Sequence, residues 1–566
     1  MYKKTPPQQK LFGIETQISP SLRGRLESSW AYLFRLEVLP ILFRNEDQYA
    51  MFYGKTGRPN FSVARLLGLC LLQEWNDLSD QEALDTFSFD IRWRYALDVS
   101  DDEDYLSRRS LVEFRRRLAE KDPDMSLIRH LFDTIRDSAI QKLGLSSSNQ
   151  RLDSTHIISN IRLRGRPALF SNTLSLFLKS LNEDQFSRVP EAIREWHAHE
   201  PEGWFGLGPA EQKVKLEGMA RYHHGLIVIF EKDELGEPYL LLTRLFSEQC
   251  EVSPDNPEEP KIHVKKKTEG TTLQSPYDPD ASYGHKGSGY SLHVTETCNN
   301  EGKPEIITDY EVHGAARSDI GKAVSVIERL DAAGCKPETL FADGGYPSVP
   351  SVPKVMEQDI EFMTPVNRSR LPDDIVGRDH FQFDQEGLVI QCPMGHKPID
   401  HRELSGNNST RRSLHAVFDG DLCRSCTMLD QCPVRAPNHR NKGCQATDTV
   451  GNFRLEITPE IRLRDEMYTL QQTPEWKDRY KIRSGIEATN SELKRAHGIG
   501  HLRVRRIAKV CFVVACKVIA CNIKRWAKAT RALERLLRGC MSSFYDSLRL
   551  SLADLIGIWR FQRTAS

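Results

Sequence analysis

The sequence predicts an α/β fold: a mixed-sheet core preceded by a helical domain, with an insertion after the first strand and a cysteine-rich insertion before the last long helices. Three observations predict it. Apolar residues recur at helical spacing between residues 20 and 145, as in Phe61-Ser-Val-Ala-Arg-Leu-Leu-Gly-Leu-Cys-Leu-Leu72 and again from Leu84 to Leu97. At residue 149 the pattern becomes β-branched, and short strand-like runs then alternate with helical ones. From 384 to 445 the chain is rich in Cys, Pro and Gly and loses periodicity.

The elements follow in order. Ser79 ahead of Asp80-Gln-Glu82 has the form of a capped helix start, and Arg108, Arg109 and Arg115 to Arg117 make the last helices of the first domain basic. Asn149-Gln-Arg-Leu-Asp-Ser-Thr-His-Ile-Ile158 reads as the first strand. Residues 172 to 255 begin helical and then suggest a hairpin, Gly225 to Phe230 and Tyr239 to Thr243, turning at Leu235-Gly236. Pro254 to Pro260 and Lys265 to Gly270 read as a linker. Strands are expected at Gly289 to Thr295, Glu305 to Tyr310, Thr339 to Ala342 and Phe362 to Val366, with a helix from Ser318 to Ala333. Two long helices are expected at roughly 475–497 and 504–540. The organisation is therefore a helical domain over 1–148, the first core strand in 149–165, and an inserted subdomain and linker over 166–280. Core strands and helices follow over 281–383, then the cysteine-rich insertion over 384–445, the late helices over 446–540 and a tail over 541–566.

Composition narrows the class. A chain of 566 residues exceeds one typical core, so about two to four domains are expected. Hydrophobic content of 39% with 28% charged residues fits a globular protein. Lys+Arg and Asp+Glu both total 78, so only the distribution of charge can report on a nucleic-acid partner. No signal-peptide pattern is seen at the N-terminus, and the longest apolar stretch, Val510 to Cys521, is short for a bilayer and interrupted by Lys517. The expectation is a cytoplasmic protein with reduced thiols and no membrane or nucleotide-cofactor partner.

Three acidic residues carry the chemistry. Asp343 follows the apolar run Thr339 to Ala342 and precedes two glycines; alone, Asp-Gly chemistry is a turn. At the end of a strand, however, it lies where open α/β sheets bind ligands. Asp153 sits in the first strand, and Mg²⁺ prefers such oxygen ligands. Tyr480, Arg483, Glu487 and Lys494 are spaced by three, four and seven residues, which on an α-helix gathers them within roughly 60°. Such a stripe is commonly a solvated face. Here its neighbours Lys477, Arg479, Lys481, Arg495, Arg503, Arg505, Arg506 and Lys509 make the segment strongly basic, which fits a DNA-facing surface with one embedded ligand.

The stripe Tyr-x2-Arg-x3-Glu-x6-Lys resembles the signature of bacterial insertion-sequence transposases with an RNase H-like DDE core. Asp153-Ser-Thr155, Asp343-Gly-Gly-Tyr346 and Gly284-His-Lys-Gly-Ser-Gly-Tyr290 are similar to further motifs of that group, and the resemblance runs from about Arg58 to Asn522. It departs in the long segment after the first strand. The resemblance implies that Asp153, Asp343 and Glu487 are catalytic and hold two Mg²⁺ (or Mn²⁺) ions. It implies that Tyr480, Arg483 and Lys494 position DNA, although Tyr480 suits core packing equally. Arg503, Arg505, Arg506, Arg115 and Arg116 join them as candidate phosphate contacts. The implied reaction is hydrolysis of a DNA strand at the element end, followed by attack of the freed 3′ hydroxyl on target DNA, without a covalent protein intermediate. His156 and Asp309 are polar neighbours without an assigned role. The implied partners are double-stranded DNA, as terminal inverted repeats and target, and a second copy of the chain, in a nucleoid-associated setting. The helical domain is implied to bind the repeats; its Asp101 to Asp104 run leaves an ordinary charged bundle as the alternative.

Cys423-x2-Cys426 with Cys392 and Cys432 suits a tetrahedral structural Zn²⁺, with His396 and Cys444 as competing ligands. The resembling transposases carry a comparable insert. Cys70, Cys511, Cys516 and Cys521 lie in apolar helical runs and read as buried thiols. Two other functions use the same residues: an RNase H-like nuclease without strand transfer, and a zinc-stabilised DNA-binding regulator with an inert core.

Overall fold

The computed structural model describes residues 1–4, 16, 18–57, 59–99, 106–161, 165–199, 207–253, 261–348, 351–367, 375–405, 412–436 and 451–533. Arg58, the acidic run Asp101 to Asp104, the linker expected at Pro254 to Pro260, Cys444, the part of the expected last helix after residue 533 and the tail expected over 541–566 lie outside the described residues.

A six-stranded mixed sheet organises the molecule. Its main strands are β1 (Asn149–Ile157), β2 (Gly287–Thr297), β3 (Ile307–Gly314), β4 (Thr339–Ala342) and β5 (Glu361–Met363). They lie side by side in the order β3-β2-β1-β4-β5, and the short strand Ser282–Gly284 folds back on the start of β2. β2 is antiparallel to β1 and β3, whereas β4 is parallel to both β1 and β5. The turn into β2 is tight. Gly289 has φ 141°, and a β-carbon there would run into the Ile157 carbonyl of the neighbouring strand. The glycine-rich run before Tyr290 thus serves a close backbone approach.

Both faces of the sheet are covered. On one face, Leu152, Leu340, Ala342 and Tyr346 pack against Ala323, Val326, Ile327 and Leu330 of the helix Lys322–Ala332. On the other, Ile157, Tyr290, Leu292, Val294 and Ile307 share one apolar core with the N-terminal helices and helix 507–533. Helix Val63–Trp75 is buried on nearly every side, from Val63 to Glu74, so it needs cover all round and receives it from both ends of the chain. The N-terminal helices therefore do not close a core of their own. The Ser79 start carries the expected capping box with Glu82.

The inserted subdomain has a separate core around Phe170, Phe177, Leu226, Phe230, Leu242 and Leu245. The hairpin expected at Gly225 to Thr243 is absent. Those residues end helix Pro209–Ile229 and build helix Glu237–Gln249. Short apolar runs do not distinguish the two states. Pro238 in the first turn of the second helix is the signal that decides, because a proline suits a helix start and removes a strand donor. The third strand also starts two residues later than expected. The stripe helix is not one α-helix: a 3₁₀ segment, Lys481–Gly485, separates Pro474–Tyr480 from Ile486–Ala496.

Candidate active site

Strand register sets Asp153 beside Asp343. β1 and β4 run parallel with Leu152 opposite Ala342, and each aspartate is the next residue. Asp343 thus stands just past the carboxyl end of β4, beside Asp153 in the middle of β1. Glu487 arrives from the first turn of Ile486–Ala496. One guanidinium joins the three. Arg483 Nη2 lies 3.1 Å from Asp153 Oδ1 and 3.7 Å from Asp343 Oδ2, and its Nη1 lies 3.1 Å from Glu487 Oε1. Three carboxylates from segments far apart in sequence therefore converge on a single cation.

Their surroundings differ. Asp153 is buried and accepts hydrogen bonds from the Ser154 backbone N–H at 2.9 Å and the Asn490 amide at 3.1 Å. Burial raises its pKa, and the Arg483 charge pulls in the opposite direction. The Asp343 and Glu487 side chains are 42% and 66% exposed. Asp343 accepts the Gly345 N–H at 2.8 Å, so the second glycine after the strand holds the carboxylate in place.

A buried network fixes the helix bearing Glu487 against β1. Glu296 of β2, opposite Arg151 in register, is fully buried and meets the Arg151 guanidinium at 2.8 Å. It also accepts from Thr489 Oγ1 at 2.6 Å and from Arg525 at 2.9 Å. Arg151 continues to the Ile482 carbonyl at 2.8 Å, passing where a β-carbon on Gly485 would have to sit. This crossing accompanies the 3₁₀ segment inside the stripe. Sequence reading missed Asn490, Arg151 and Glu296. Asn490 had a usable signal, since it follows Glu487 by one helical turn. Glu296 had none, because its partners come together only through strand register.

The candidate DNA contacts have mixed surroundings. Tyr480 is half-buried: its ring stacks on Trp476 at 4.6 Å and packs with Phe341 and Met363, and its hydroxyl donates to the Ala342 carbonyl at 2.9 Å. Packing accounts for this residue. Lys494 borders a cleft with Asp77, His156 and His501. Arg503 pairs with Asp77 at 3.0 Å, Arg506 with Glu237 at 2.8 Å, and Arg505 donates to the Asn160 carbonyl. Arg115 pairs with Asp80 at 2.7 Å, and Arg116 with Glu113 and Glu120. Arg108, Arg116, Arg503 and Lys509 line one cleft between the N-terminal helices and helix 507–533. Asp309, left without a role by the sequence, is buried between Arg129 and Arg329 and is a core ion-pair residue.

In the cysteine-rich segment, Cys392, His396, Cys423, Cys426 and Cys432 line one cavity. The His396 backbone N–H donates to Cys392 Sγ at 3.3 Å. Burial first, and the neighbouring thiols next, push Cys423 up to about 12; burial likewise takes Cys432 up to about 11. No three of these sulfurs lie within 4.8 Å of one another; the groups that do so among the described residues are His293-His313-Asp319 and Glu492-His497-Cys521. Cys70 and Cys516 are buried in the apolar core, as read from the sequence; Cys521 is buried but lies beside Glu492 and His497, and Cys511 is half-buried.

Two neighbouring strands of a mixed sheet and one helix thus build a single acidic centre. Residues 391–527 match the family model of a transposase DDE domain, and residues 35–117 match that of a transposase domain (DUF772). The first match includes Glu487; Asp153 and Asp343 lie outside both. No curated protein matches the chain. Among solved structures it is similar to a piggyBac transposase synaptic complex with hairpin DNA, at 9% identity and a TM-score of 0.30 over 91% of this chain and 78% of that one. Among the described residues, no helix is long and apolar enough to cross a membrane.

Proposed function

We propose that this protein is a DDE transposase of an insertion sequence, with an RNase H-like core, that cuts DNA at the element ends and joins them to a target. The observation that carries this reading is the convergence of Asp153, Asp343 and Glu487 on the Arg483 guanidinium. The two transposase-domain matches support it. The strand order β3-β2-β1-β4-β5 supports the RNase H-like core.

The donor set fits divalent cations. Three carboxylates offer hard oxygen ligands, two of them open to solvent, and a cation already occupies the space between them. Asp153, Asp343 and Glu487 would hold Mg²⁺ or Mn²⁺, which when bound supply Lewis acidity and an activated oxygen nucleophile for phosphodiester chemistry. The protein's own part is positional. Asn490 and the Ser154 N–H fix Asp153, Gly345 fixes Asp343, and Glu296 fixes the helix that presents Glu487. Arg483 offers a planar fork that suits a phosphate once DNA enters. The cleft with Arg108, Arg116, Arg503 and Lys509 is a path for the DNA backbone. Joining two element ends calls for two copies of the chain.

The test uses DNA carrying the inverted repeats that flank the coding region, a target plasmid and Mg²⁺. Joined products are expected. Cleavage without joining would assign a nuclease instead, and repeat binding with no cleavage would assign a regulator.

The Cys392, Cys423, Cys426 and Cys432 set would hold a structural Zn²⁺, since four thiols line one cavity and would draw together around the ion as thiolates. Cys426→Ser is expected to lower bound zinc by about one ion per chain. Elemental analysis of the purified protein measures this, and an unchanged zinc content would remove the assignment.

A further inference from the structure

We propose that His293, His313 and Asp319 form a divalent transition-metal site on the face of the sheet opposite Asp153. The three ligand atoms lie within 4.8 Å of one another. His293 Nε2 is 2.7 Å from His313 Nε2 and 3.4 Å from Asp319 Oδ1. Both histidines are almost fully buried. The location follows from register: His293 stands opposite Ser154, so its side chain shares the face of Ser154 and Leu152, the face covered by helix Lys322–Ala332. Asp153 projects the other way, toward Asn490.

Each ligand is aimed by a partner on its far side. His293 Nδ1 faces the Tyr346 hydroxyl at 2.8 Å, His313 Nδ1 faces the Gly314 carbonyl at 2.9 Å, and Asp319 Oδ2 accepts from Ser154 Oγ at 2.8 Å. Three ligands, each with its outer atom engaged, is the arrangement that orients metal-binding side chains. Burial also pushes His293 down to about 4 and lowers His313, so both rings stay neutral, the form that ligates.

The protons can be placed. His313 Nδ1 donates to the Gly314 carbonyl, which leaves its Nε2 as an acceptor. Without metal, His293 Nε2–H donates to it, and Tyr346 O–H donates to His293 Nδ1. When an ion takes the space between the two Nε2 atoms, the His293 proton moves to Nδ1 and is donated to the Tyr346 oxygen. The Tyr346 hydroxyl then donates to Ser154, and Ser154 donates to Asp319. No donor is stranded in either state. With metal–nitrogen bonds of about 2.0–2.1 Å, tetrahedral ligands sit roughly 3.3 Å apart. The His293–Asp319 distance already meets this, and the imidazoles need to part by about half an ångström. Two neutral imidazoles, one carboxylate and an open fourth position suit Zn²⁺ or Co²⁺ better than Mg²⁺. The site would tie Ser154 and Tyr346, neighbours of the two catalytic-centre aspartates, to one fixed point.

The inference does not depend on the transposase reading. Co²⁺ added to metal-stripped protein is the probe. Beside any cobalt at the cysteine set, which its near-ultraviolet thiolate transition marks, we expect a further visible absorption band of about one cobalt ion per chain that carries no such transition. Asp319→Asn and His313→Gln should each weaken cobalt binding at least about tenfold, by analogy with other first-ligand and outer-ligand losses, while Asp343→Asn leaves the band in place. A band that disappears with Asp343→Asn and survives both other substitutions would overturn the site, as would the absence of any band. Asp319 is partly exposed, so its variant guards against a folding failure in the buried His313 variant.

Discussion

Asp343→Asn is expected to abolish DNA strand cleavage, lowering the single-turnover rate by on the order of 10³-fold or more, while leaving the fold intact. Removing one of three shared anionic ligands forfeits several kcal/mol of charge stabilisation, and each ~1.4 kcal/mol is tenfold in rate. The stability effect is small for a separate reason. The Asp343 side chain is 42% exposed, and its local hydrogen bond, from the Gly345 N–H, survives in the amide. Release of labelled strand from an element-end duplex measures the rate, and thermal melting measures the fold. Cleavage by the variant at the wild-type rate would remove Asp343 from the centre.

The largest stability effect is expected at Lys517. This lysine interrupts the apolar run of helix 507–533 and is almost fully buried. Its ammonium meets Glu74 at 2.7 Å and Asp77 at 2.8 Å and donates to the His497 carbonyl at 2.5 Å. Lys517→Met fits the volume but leaves buried Glu74 without its ammonium partner and Asp77 with Arg503 alone. Breaking one side of a buried charge cluster costs about 3–5 kcal/mol. Chemical denaturation of the variant measures the loss, and a deficit under about 1 kcal/mol would contradict the account. The pH dependence follows from Glu74, whose pKa burial raises, with Lys517 opposing. A carboxylate with a raised folded pKa makes stability fall as pH climbs from the ordinary carboxylate value through the raised one. Losing Lys517 enlarges that rise, so the variant's deficit should shrink on acidification. Adding Glu74→Gln should recover part of it near neutrality.

Sequence reading reached the parts whose signals are local. Asp153 and Asp343 were legible because each sits in or just past a β-rich run, and the Ser79 start because its capping residues are adjacent. Glu487 was legible through its spacing from Tyr480, Arg483 and Lys494. What failed depended on contacts across the chain. The run at Gly225 to Phe230 has the composition of a strand, yet Gly225 to Ile229 end a helix whose Leu226 is buried in the subdomain core. For Tyr480 the sequence left base stacking and core packing equally open, and its ring stacks on Trp476 and packs with Phe341 and Met363. His293, His313 and Asp319 lie on two strands and a loop, so their meeting is a property of register that no spacing announces.

Gly485 shows how a residue with no functional group can govern a reaction. Because Arg151 crosses directly above it to reach Ile482, a β-carbon there would have to displace the guanidinium. A methyl would therefore cost the Arg151 bond to Ile482, which ties the segment between Arg483 and Glu487 to the sheet. Selection acting there would be indistinguishable, in its strictness, from selection on an acid that does chemistry.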